Sequence, residues 1–312
     1  MGTPEFAEIS LSRLLQSNHK ILGVVTQPDR PKGRGLKLYP SPVKKLALAN
    51  NLPIFQPKRL PEHDLTNFLE KTKPDAIVVV AYGLKIPPIL LDFPPHGCIN
   101  LHASLLPKYR GASPIQAVLL NGEKITGVCT MKMDEGWDTG DILISHSVPI
   151  GEHENFGSLH DRLAMIGADV LLDTLNLLEQ GEIKPVPQNH GEANYVRKLS
   201  AEDFILDWST DTIFLYNRIR GFDPIPGART YLDGKLLKIW SASIAEGWYG
   251  LKNATPGTVG EPVVGEQEGI PVRTKDGVLL ITELQNPGKK RLKYDQFMAG
   301  SPLQAGLVLG EK

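Results

Sequence analysis

The segment CINLHASLLPKYRGASPIQ, which begins at Cys98, places an amide and an imidazole close together. Asn100 and His102 are two residues apart in an apolar run that predicts a strand, so both side chains leave the same face of that strand. An amide N–H donates hydrogen bonds, and an imidazole gives and takes protons near neutral pH. An isolated pair of this kind is most often structural, but the Ser-Leu-Leu-Pro loop after it would bend backbone groups around a ligand.

A carboxylate close to His102 would complete this chemistry by fixing the tautomer of the ring. The segment DEGWDTGD supplies such groups in a predicted tight turn. A metal site that combines acids of this turn with His102 is a weaker alternative, because the sequence offers no matching set of ligands. Aspartates in tight turns often satisfy only their own backbone, so the spacing leaves four acids as alternatives: Asp134, Glu135, Asp138 and Asp141.

The composition bounds the kind of protein that carries these residues. A chain of 312 residues exceeds one typical core and predicts two domains. The formal net charge is -1, with 22% charged and 41% hydrophobic residues, which is ordinary for a globular protein. A net charge this close to zero would not attract the whole molecule to a polyanion, so any contact with nucleic acid depends on local basic patches.

The cysteines and the hydrophobic runs favour a reducing compartment. Cys98 and Cys129 both lie in apolar runs, which predicts two buried thiols rather than a disulfide or a metal site. No apolar run is long enough to span a bilayer, and the first residues contain no secretory signal. We therefore expect a cytoplasmic protein without a membrane partner.

Predicted strands and helices alternate in the first half of the chain. The apolar run at 75–83 is typical of a buried central strand, and the segment SPVKKLALANN predicts a helix with Ser41 as N-cap and Pro42 at its first position. This alternation predicts an α/β domain with a mostly parallel sheet. Open sheets of this class bind ligands beyond the carboxyl ends of their strands, where Asn100 and His102 would lie.

The first residues predict a turn that runs into a helix, with Thr3 as N-cap and Pro4 at the first helical position. In an open α/β sheet such a turn normally follows a strand near the centre of the sheet, yet only Met1 and Gly2 precede it here. We expect that the first strand is missing from the chain as given. The alternative is that the sheet begins later.

The sequence pattern changes after Gly181. Residues 184–203 have little periodicity and predict a linker between a catalytic domain at 1–183 and a second domain at 204–312. The second domain contains one helical segment, DTIFLYNRIRGF, and then short strand-like runs that alternate with turns. Such spacing predicts a small β-barrel or sandwich.

The motifs of the whole chain, in their order and spacing, resemble one known family. The matching segments are GTPEFA, VTQPDRPKGRG, SPVK, VVVAYG, INLHASLLPKYRGASPIQ, GVCTMKMDEGWDTGDIL, KLS with DWS, and NPGKKR. The chain is similar to the 10-formyltetrahydrofolate-dependent formyltransferase family, and the TQPDRPKGRG insert and the C-terminal domain resemble its methionyl-tRNA-acting members. Those members carry a short strand before the position of Gly2, and this chain departs from them there.

The resemblance implies a fold, an activity and two substrates. The implied fold is a Rossmann-like catalytic domain followed by an OB-like β-barrel domain. The implied reaction moves the formyl group of 10-formyltetrahydrofolate to the α-amino group of initiator methionyl-tRNA, in a monomer that needs no metal. The family's catalytic residues fall on Asn100, as a donor to the oxyanion, and on His102, held by Asp138, as the proton carrier.

Two segments match the folate-binding parts of the family. The folate-binding loop falls on four consecutive residues: Ser104, Leu105, Leu106 and Pro107. The end of the strand VVVAYGL would line the pterin pocket through backbone groups of three further residues: Val80, Tyr82 and Gly83.

Two basic clusters are candidates for contact with the tRNA backbone. The first lies on the Gly- and Pro-rich insert, which in the family enters the acceptor arm of the tRNA. Its members are Lys32, Lys37 and Arg34, which aligns with the family's principal arginine. The second lies in the C-terminal domain and contains Lys289, Lys290 and Arg291. Taken alone, a basic run is typical of a solvated surface, whereas phosphate contacts predict an affinity that falls as salt rises.

Other functions remain open at this point. A formyltransferase that acts on a small amine would share the Asn-x-His core, although the basic insert and the second domain favour tRNA. A chain without its first strand could also be an inactive protein that only binds tRNA or folate. A nicotinamide-dependent dehydrogenase is disfavoured, because no G-x-G-x-x-G motif follows a predicted strand.

Overall fold

The computed structural model describes residues 1–32 and 37–310, and Arg34 therefore lies outside the described residues. The chain divides into two compact units. The first unit comprises residues 1–114, 125–149 and 160–196, and the second comprises 115–124, 150–159 and 197–312. The predicted linker, 184–203, is thus shared between the two units, with the division after Val196.

Helices and strands alternate through the first half of the described chain, and strands dominate the second half. The helices are α1 (Glu5–Leu15), α2 (Pro42–Ala49), α3 (His63–Thr72), α4 (Pro88–Leu91), α5 (Pro114–Leu120), α6 (Phe156–Gln180), α7 (Thr212–Phe222) and α8 (Tyr294–Gly300). The strands of the first unit are β1 (Val24–Val25), β2 (Arg30–Lys32), β3 (Lys37–Tyr39), β4 (Ile54–Phe55), β5 (Ile77–Val79), β6 (Cys98–His102), β7 (Arg110–Gly111), β8 (Ile125–Lys132), β9 (Ile142–Pro149) and β10 (Tyr195–Val196). Those of the second unit are β11 (Ala228–Leu232), β12 (Lys235–Ile244), β13 (Ile270–Arg273), β14 (Val278–Gln285) and β15 (Leu292–Lys293).

The first unit has the predicted α/β fold, and its sheet is mixed. Strand β1 pairs in parallel with β4, and β5 pairs in parallel with β6. The next two strands are antiparallel, in the order β5-β6-β8-β9. Strands β8 and β9 are antiparallel because the tight turn DEGWDTG returns the chain directly from one to the other, and a connection that short cannot join parallel strands.

The start of helix α2 follows the predicted capping pattern. The Ser41 side chain accepts a hydrogen bond from the Lys44 N–H, and Pro42 is the first helical residue. The prediction for α1 is wrong by one residue, because Pro4 is its N-cap and makes no side-chain cap bond. The Thr3 hydroxyl instead donates to the carbonyl of Tyr82, so it ties the start of α1 to the chain beyond β5.

The first two residues lie between strands β1 and β5. The Gly2 N–H donates to the Val25 carbonyl at 2.9 Å, and the Met1 carbonyl accepts from the Val80 N–H at 2.8 Å. Burial lowers the pKa of the Met1 ammonium group to about 6.

The second unit contains a curled antiparallel sheet, a half-barrel that agrees with the predicted OB-like domain. The sheet order is β11-β12-β14-β13, with β15 also paired to β14. Helix α7 contributes Leu215, Ile219 and Phe222 to the core beneath this sheet. The segment GTVGE is one of the strand-like runs of this domain, and it forms isolated bridges through Thr258 and Val259 rather than a regular strand.

Both cysteines are buried, as predicted. Cys98 and Cys129 have no exposed surface and form no disulfide. Burial raises the pKa of the Cys98 thiol to about 12 and also raises that of Cys129. In the described part of the chain, no helix is both long enough and apolar enough to cross a membrane.

Candidate active site

Strand β6 holds the amide and the imidazole that the sequence singled out. It pairs with β5 on one side and with β8 on the other, so its backbone is fixed at both edges. Asn100 and His102 are only 8% and 6% exposed. Their alternation along the strand puts both side chains on one face, as predicted.

The His102 ring is fixed by a backbone carbonyl. Its Nε2 atom lies 2.9 Å from the carbonyl oxygen of Tyr109. A carbonyl can only accept, so Nε2 carries the hydrogen, and Nδ1 is the basic nitrogen of the neutral ring. The Nδ1 atom faces the Asp138 carboxylate at 3.8 Å. A carboxylate thus lies near His102, as expected. The expectation that this carboxylate fixes the tautomer is wrong, because the Tyr109 carbonyl fixes it.

The structure distinguishes between the acids of the tight turn. The Asp134 carboxylate accepts from the Gly136 N–H and from the Thr139 hydroxyl, so it serves the turn itself. Asp138 has a left-handed backbone, with φ of 54°, and its Oδ2 atom accepts from the Gly111 N–H at 2.7 Å. Of the acids left open by the spacing, Asp138 is thus the one whose carboxylate faces His102.

The Asn100 carboxamide is available to a ligand. Within residues 1–32 and 37–310, it has no hydrogen-bond partner, although the residue is nearly buried. Its amide atoms are not among the fully enclosed polar atoms that lack a partner in the described chain, so the carboxamide reaches the surface, where a ligand can meet it. A donor in this state beside His102 fits a substrate oxygen that carries developing negative charge.

The loop predicted to bind folate uses several of its side chains internally. The buried Ser104 hydroxyl donates to the Lys108 carbonyl at 2.7 Å, which closes the loop on itself. Leu106 packs with Cys129 in a small apolar cluster. The other two residues, Leu105 and Pro107, are partly exposed.

The turn after β5 presents backbone rather than side chains. Val80 and Tyr82 are 3% and 2% exposed, so their side chains lie in the interior. The backbone at Ala81 and Gly83 is left-handed, with φ of 44° and 86°. Burial raises the pKa of the Tyr82 hydroxyl to about 12, and that hydroxyl has no partner in the described part of the chain. The expected folate contact at this turn therefore depends on backbone groups.

The basic insert is anchored at its base. Its strands β2 and β3 form a hairpin, on which Lys32 and Lys37 are paired. The Asp29 carboxylate, just before the hairpin, accepts from Lys44 Nζ at 2.8 Å and from Gln56 Nε2 at 2.8 Å. These hydrogen bonds hold the pKa of Asp29 below its usual value.

The second basic cluster, in the C-terminal unit, contains two exposed lysines and one arginine that is held in ion pairs. Lys289 and Lys290 are exposed at the turn between β14 and β15. Arg291 is paired with Asp223 at 2.5 Å and also with Glu283. Its guanidinium lies 5.2 Å from the Trp240 ring centroid. The structure thus leaves the lysines open to a polyanion and binds Arg291 to its own domain.

Sequence reasoning missed the backbone groups that orient His102 and Asp138. These groups are the Tyr109 carbonyl and the Gly111 N–H, which contact His102 and Asp138. Backbone groups carry no signature in residue types, so no motif could have revealed them. For metal binding, no group of three or more His, Cys, Asp or Glu side chains is suitably placed among the described residues.

Two family models match almost the whole chain. The formyl transferase model matches residues 1–175, and the model of the formyl transferase C-terminal domain matches residues 198–302. The chain belongs to the formyl transferase family. The predicted family is therefore confirmed, together with its C-terminal domain.

Relatives of this family align along the full length. The methionyl-tRNA formyltransferase of Pelotomaculum thermopropionicum is 47% identical over 311 residues, which cover 100% of this chain and 97% of that protein. The methionyl-tRNA formyltransferase of Alkaliphilus oremlandii is 46% identical over 311 residues, which cover 100% of this chain and 98% of that protein. A solved structure, the N-formyltransferase of Helicobacter canadensis with folinic acid and dTDP-3-aminofucose, has a TM-score of 0.64 at 17% identity. The match covers 93% of this chain and 97% of that one and shows a common fold.

Proposed function

We propose that this chain transfers the formyl group of 10-formyltetrahydrofolate to the α-amino group of initiator methionyl-tRNA, which yields N-formylmethionyl-tRNA. The choice of acceptor is supported by the full-length relatives, which are methionyl-tRNA formyltransferases at 46% and 47% identity. One observation carries the chemistry: His102 Nδ1 faces Asp138 at 3.8 Å beside the unpartnered Asn100 amide.

Asn100 acts at the carbonyl oxygen. When the neutral amine forms its bond to the formyl carbon, the carbonyl electron pair moves to oxygen. The Asn100 N–H groups donate to that oxyanion in a site from which most water is excluded. The loss of one such donor typically costs about 3 kcal/mol of transition-state stabilisation.

His102 carries the proton. Its Nδ1 atom accepts a proton from the attacking amine, while Nε2–H stays bonded to the Tyr109 carbonyl. The imidazolium that forms faces the Asp138 carboxylate, which stabilises the new positive charge. His102 then returns the proton to the folate nitrogen as the bond between that nitrogen and the formyl carbon breaks. The proton lost by the amine is therefore the one gained by the leaving group.

The folate binds between two segments of the first unit. The loop that follows His102 positions the formyl group, and the left-handed turn after β5 receives the pterin through its backbone. The residues of these segments are Ser104, Leu105, Leu106, Pro107, Val80, Tyr82 and Gly83.

The tRNA contacts basic groups of both units. In the C-terminal unit, the exposed Lys289 and Lys290 bind phosphates, whereas Arg291 supports the domain through Asp223. In the N-terminal unit, the insert supplies its basic residues to the acceptor arm: Lys32, Arg34 and Lys37. The enzyme acts in the cytoplasm, as a monomer.

Formyl transfer by the purified chain tests this proposal. With 10-formyltetrahydrofolate as donor, we expect formylation of methionyl-tRNA and no transfer to glycinamide ribonucleotide or to a dTDP-amino sugar. His102→Ala should abolish transfer and leave tRNA binding nearly intact. The exposed His146, on strand β9, provides a matched control, and His146→Ala should keep wild-type activity.

The same assay separates the alternatives. Faster transfer to a small amine than to methionyl-tRNA would assign the chain to the formyltransferases that act on small amines. Binding of tRNA without turnover would indicate an inactive binding protein. Equal turnover by His102→Ala and wild type would overturn the role of His102.

A further inference from the structure

The polar segment 188–196, called the strap below, runs along the loop that orients the catalytic pair. Strand β10 of the strap pairs in parallel with β7, so that Tyr195 lies opposite Arg110 and Val196 opposite Gly111. The Arg110 N–H donates to the Asn194 carbonyl, and the Ala112 N–H donates to the Val196 carbonyl, both at 3.0 Å. All these contacts lie within the N-terminal unit.

The first attachment of the strap acts on Tyr109. The Asn194 side-chain carbonyl accepts a hydrogen bond from the Tyr109 N–H. Tyr109 has a left-handed backbone, with φ of 60°, which is unfavourable for a residue with a large side chain. Its carbonyl is the group that accepts from His102 Nε2. Asn194 therefore stabilises the backbone conformation that aims this carbonyl at the imidazole.

The second attachment acts on the turn that carries Asp138. Gln188 is 6% exposed, and its Nε2 atom donates to the carbonyls of Asp138 and Gly140, at 3.0 and 2.7 Å. Its Oε1 atom accepts from Nε and Nη2 of Arg110, at 3.1 and 2.7 Å. All four hydrogen-bonding positions of the amide are thus used. Gln188 joins the turn beside the carboxylate to the loop beside the imidazole.

Arg110 makes this junction rigid. Its side chain is 1% exposed, and in the described chain it pairs with no carboxylate. Neutral groups of the strap satisfy it instead: Gln188, the Tyr195 hydroxyl at 3.0 Å and His190 Nδ1 at 3.1 Å. A buried cation is tolerated only when its donors are satisfied, so the strap and the loop must keep this arrangement together.

We infer that Asn194 and Gln188 are positioning residues for catalysis: Asn194 sets the His102 tautomer through Tyr109, and Gln188 holds Asp138 opposite Nδ1. This inference deepens the proposed formyl transfer and rests on it for its kinetic consequences. Neither residue touches the reacting atoms.

Substitutions at Asn194 separate positioning from a general structural role. Asn194→Ala removes the acceptor for the Tyr109 N–H. We expect kcat to fall about tenfold or more, which is the usual effect of removing a residue that orients a catalytic group. KM values for folate and methionyl-tRNA should stay within about twofold, because positioning does not act on substrate binding. Asn194→Asp keeps an acceptor at an exposed position and should restore kcat. Asn189→Ala is the matched control, because among the described residues the Asn189 side chain bonds within the strap alone, to Gly191 and Glu192.

Gln188→Glu tests the second attachment. It keeps the acceptor for Arg110 and replaces the two donors to the turn with a carboxylate oxygen. We expect a lower kcat at an unfolding temperature close to that of the wild type, because the buried arginine keeps its partner. A similar fall in kcat for Asn189→Ala would show that any loosening of the strap lowers activity and would overturn the specific positioning roles of Asn194 and Gln188, and wild-type kcat in Gln188→Glu would overturn the role of Gln188.

The tautomer itself can be observed. In a protein labelled with ¹⁵N-histidine, the His102 signal, assigned by its loss in His102→Ala, should report hydrogen on Nε2 in the wild type and in Asn194→Asp. In Asn194→Ala, it should report a mixture of tautomers. An unchanged tautomer in Asn194→Ala would overturn the inference. This measurement needs no turnover, so it still decides the matter if the wild type fails to formylate methionyl-tRNA.

Discussion

His102 Nε2 lies 2.9 Å from the carbonyl oxygen of Tyr109, seven residues further along the chain. This contact makes Nδ1 the basic nitrogen and turns it towards Asp138. His102 is therefore oriented by a loop backbone, and in the proposed mechanism the Asp138 carboxylate acts on the charge that forms during the reaction.

Asp138→Asn should lower kcat by about 10²- to 10⁴-fold, the usual worth of a group that supports proton transfer. The asparagine can still accept from the Gly111 N–H, so the turn should keep its structure while the negative charge opposite Nδ1 is lost. Asp134→Asn is the matched control, because the Asp134 carboxylate accepts hydrogen bonds from Gly136 and Thr139 of its own turn. Steady-state kinetics of both variants would measure this, and equal losses would argue for a structural effect of the turn.

Asn100→Asp should lower kcat by about 10²- to 10³-fold, with little change in KM for folate. The substitution keeps the size of the side chain and removes the N–H donors that would meet the oxyanion. Asn176→Asp, at an exposed position on helix α6, should have wild-type kinetics. If Asn100→Asp retained full kcat, the oxyanion would have to be stabilised by other groups.

Tyr82→Phe should raise the free energy of unfolding by about 1 kcal/mol at pH 7, because the buried hydroxyl has no partner in the described chain. KM for folate should not change, since the expected contact is made by backbone groups. Urea unfolding and folate kinetics would test the two statements separately. A large increase in KM would show that the hydroxyl itself contacts folate.

The same variant should alter stability at high pH. The pKa of Tyr82 is raised to about 12 in the folded protein, against an ordinary value of 10. The unfolded chain therefore loses this proton first, and stability is lost as the pH rises from 10 towards 12. Tyr82→Phe lacks this contribution, so the advantage of the variant should widen over that interval. Burial also raises the pKa of the Cys98 thiol to about 12. Its ionisation at high pH lowers the stability of the wild type and of the variant equally, so this effect cancels in the comparison.

The double variant Lys289→Ala, Lys290→Ala should weaken tRNA binding and flatten the slope of log affinity against log salt by about one to two units. Its unfolding free energy should be unchanged, because both side chains are exposed. Binding titrations at several salt concentrations would measure the slope. An unchanged slope would show that this turn is only a solvated surface.

Arg291→Ala should lower the stability of the protein and leave the salt dependence of tRNA binding unchanged, the opposite of the double lysine variant. It removes the charge partner of the buried Asp223 carboxylate, which would then keep only the Asn155 amide. We expect the free energy of unfolding to fall by about 1–3 kcal/mol. The salt dependence of tRNA binding should stay close to that of the wild type. A flatter slope without loss of stability would assign Arg291 to the tRNA surface after all.

The sequence predicted those parts of the site that depend on local pattern. The apolar run around Asn100 placed both side chains on one face of β6, and Ser41 with Pro42 gave the correct start of α2. Spacing alone could not select Asp138, because any aspartate of the tight turn could have faced His102. The selection depends on the Gly111 N–H, which a distant part of the fold brings to the carboxylate.

The strap shows a second limit of sequence reasoning. Its residues have no hydrophobic periodicity, so the sequence predicts a linker there. Its order comes from hydrogen bonds to the loop around Arg110, and such polar, long-range contacts leave no periodic signal. The small β-barrel or sandwich of the C-terminal domain was predicted from short apolar runs separated by turns. Such runs reflect burial directly: the first four residues of β14, Val278 to Ile281, are all buried.

The parallel pairing of β7 with β10 also restricts how this chain can diverge. Five residues lie between Gln188 and Asn194, and both ends of that interval are fixed by bonds to the loops that carry Tyr109 and Asp138. An inserted or deleted residue within it would carry Asn194 past Tyr109 and shift every later partner by one place. A stretch that looks suited to length variation is therefore closed to it: substitutions can accumulate at its exposed positions, but its residue count is fixed by the chemistry it supports.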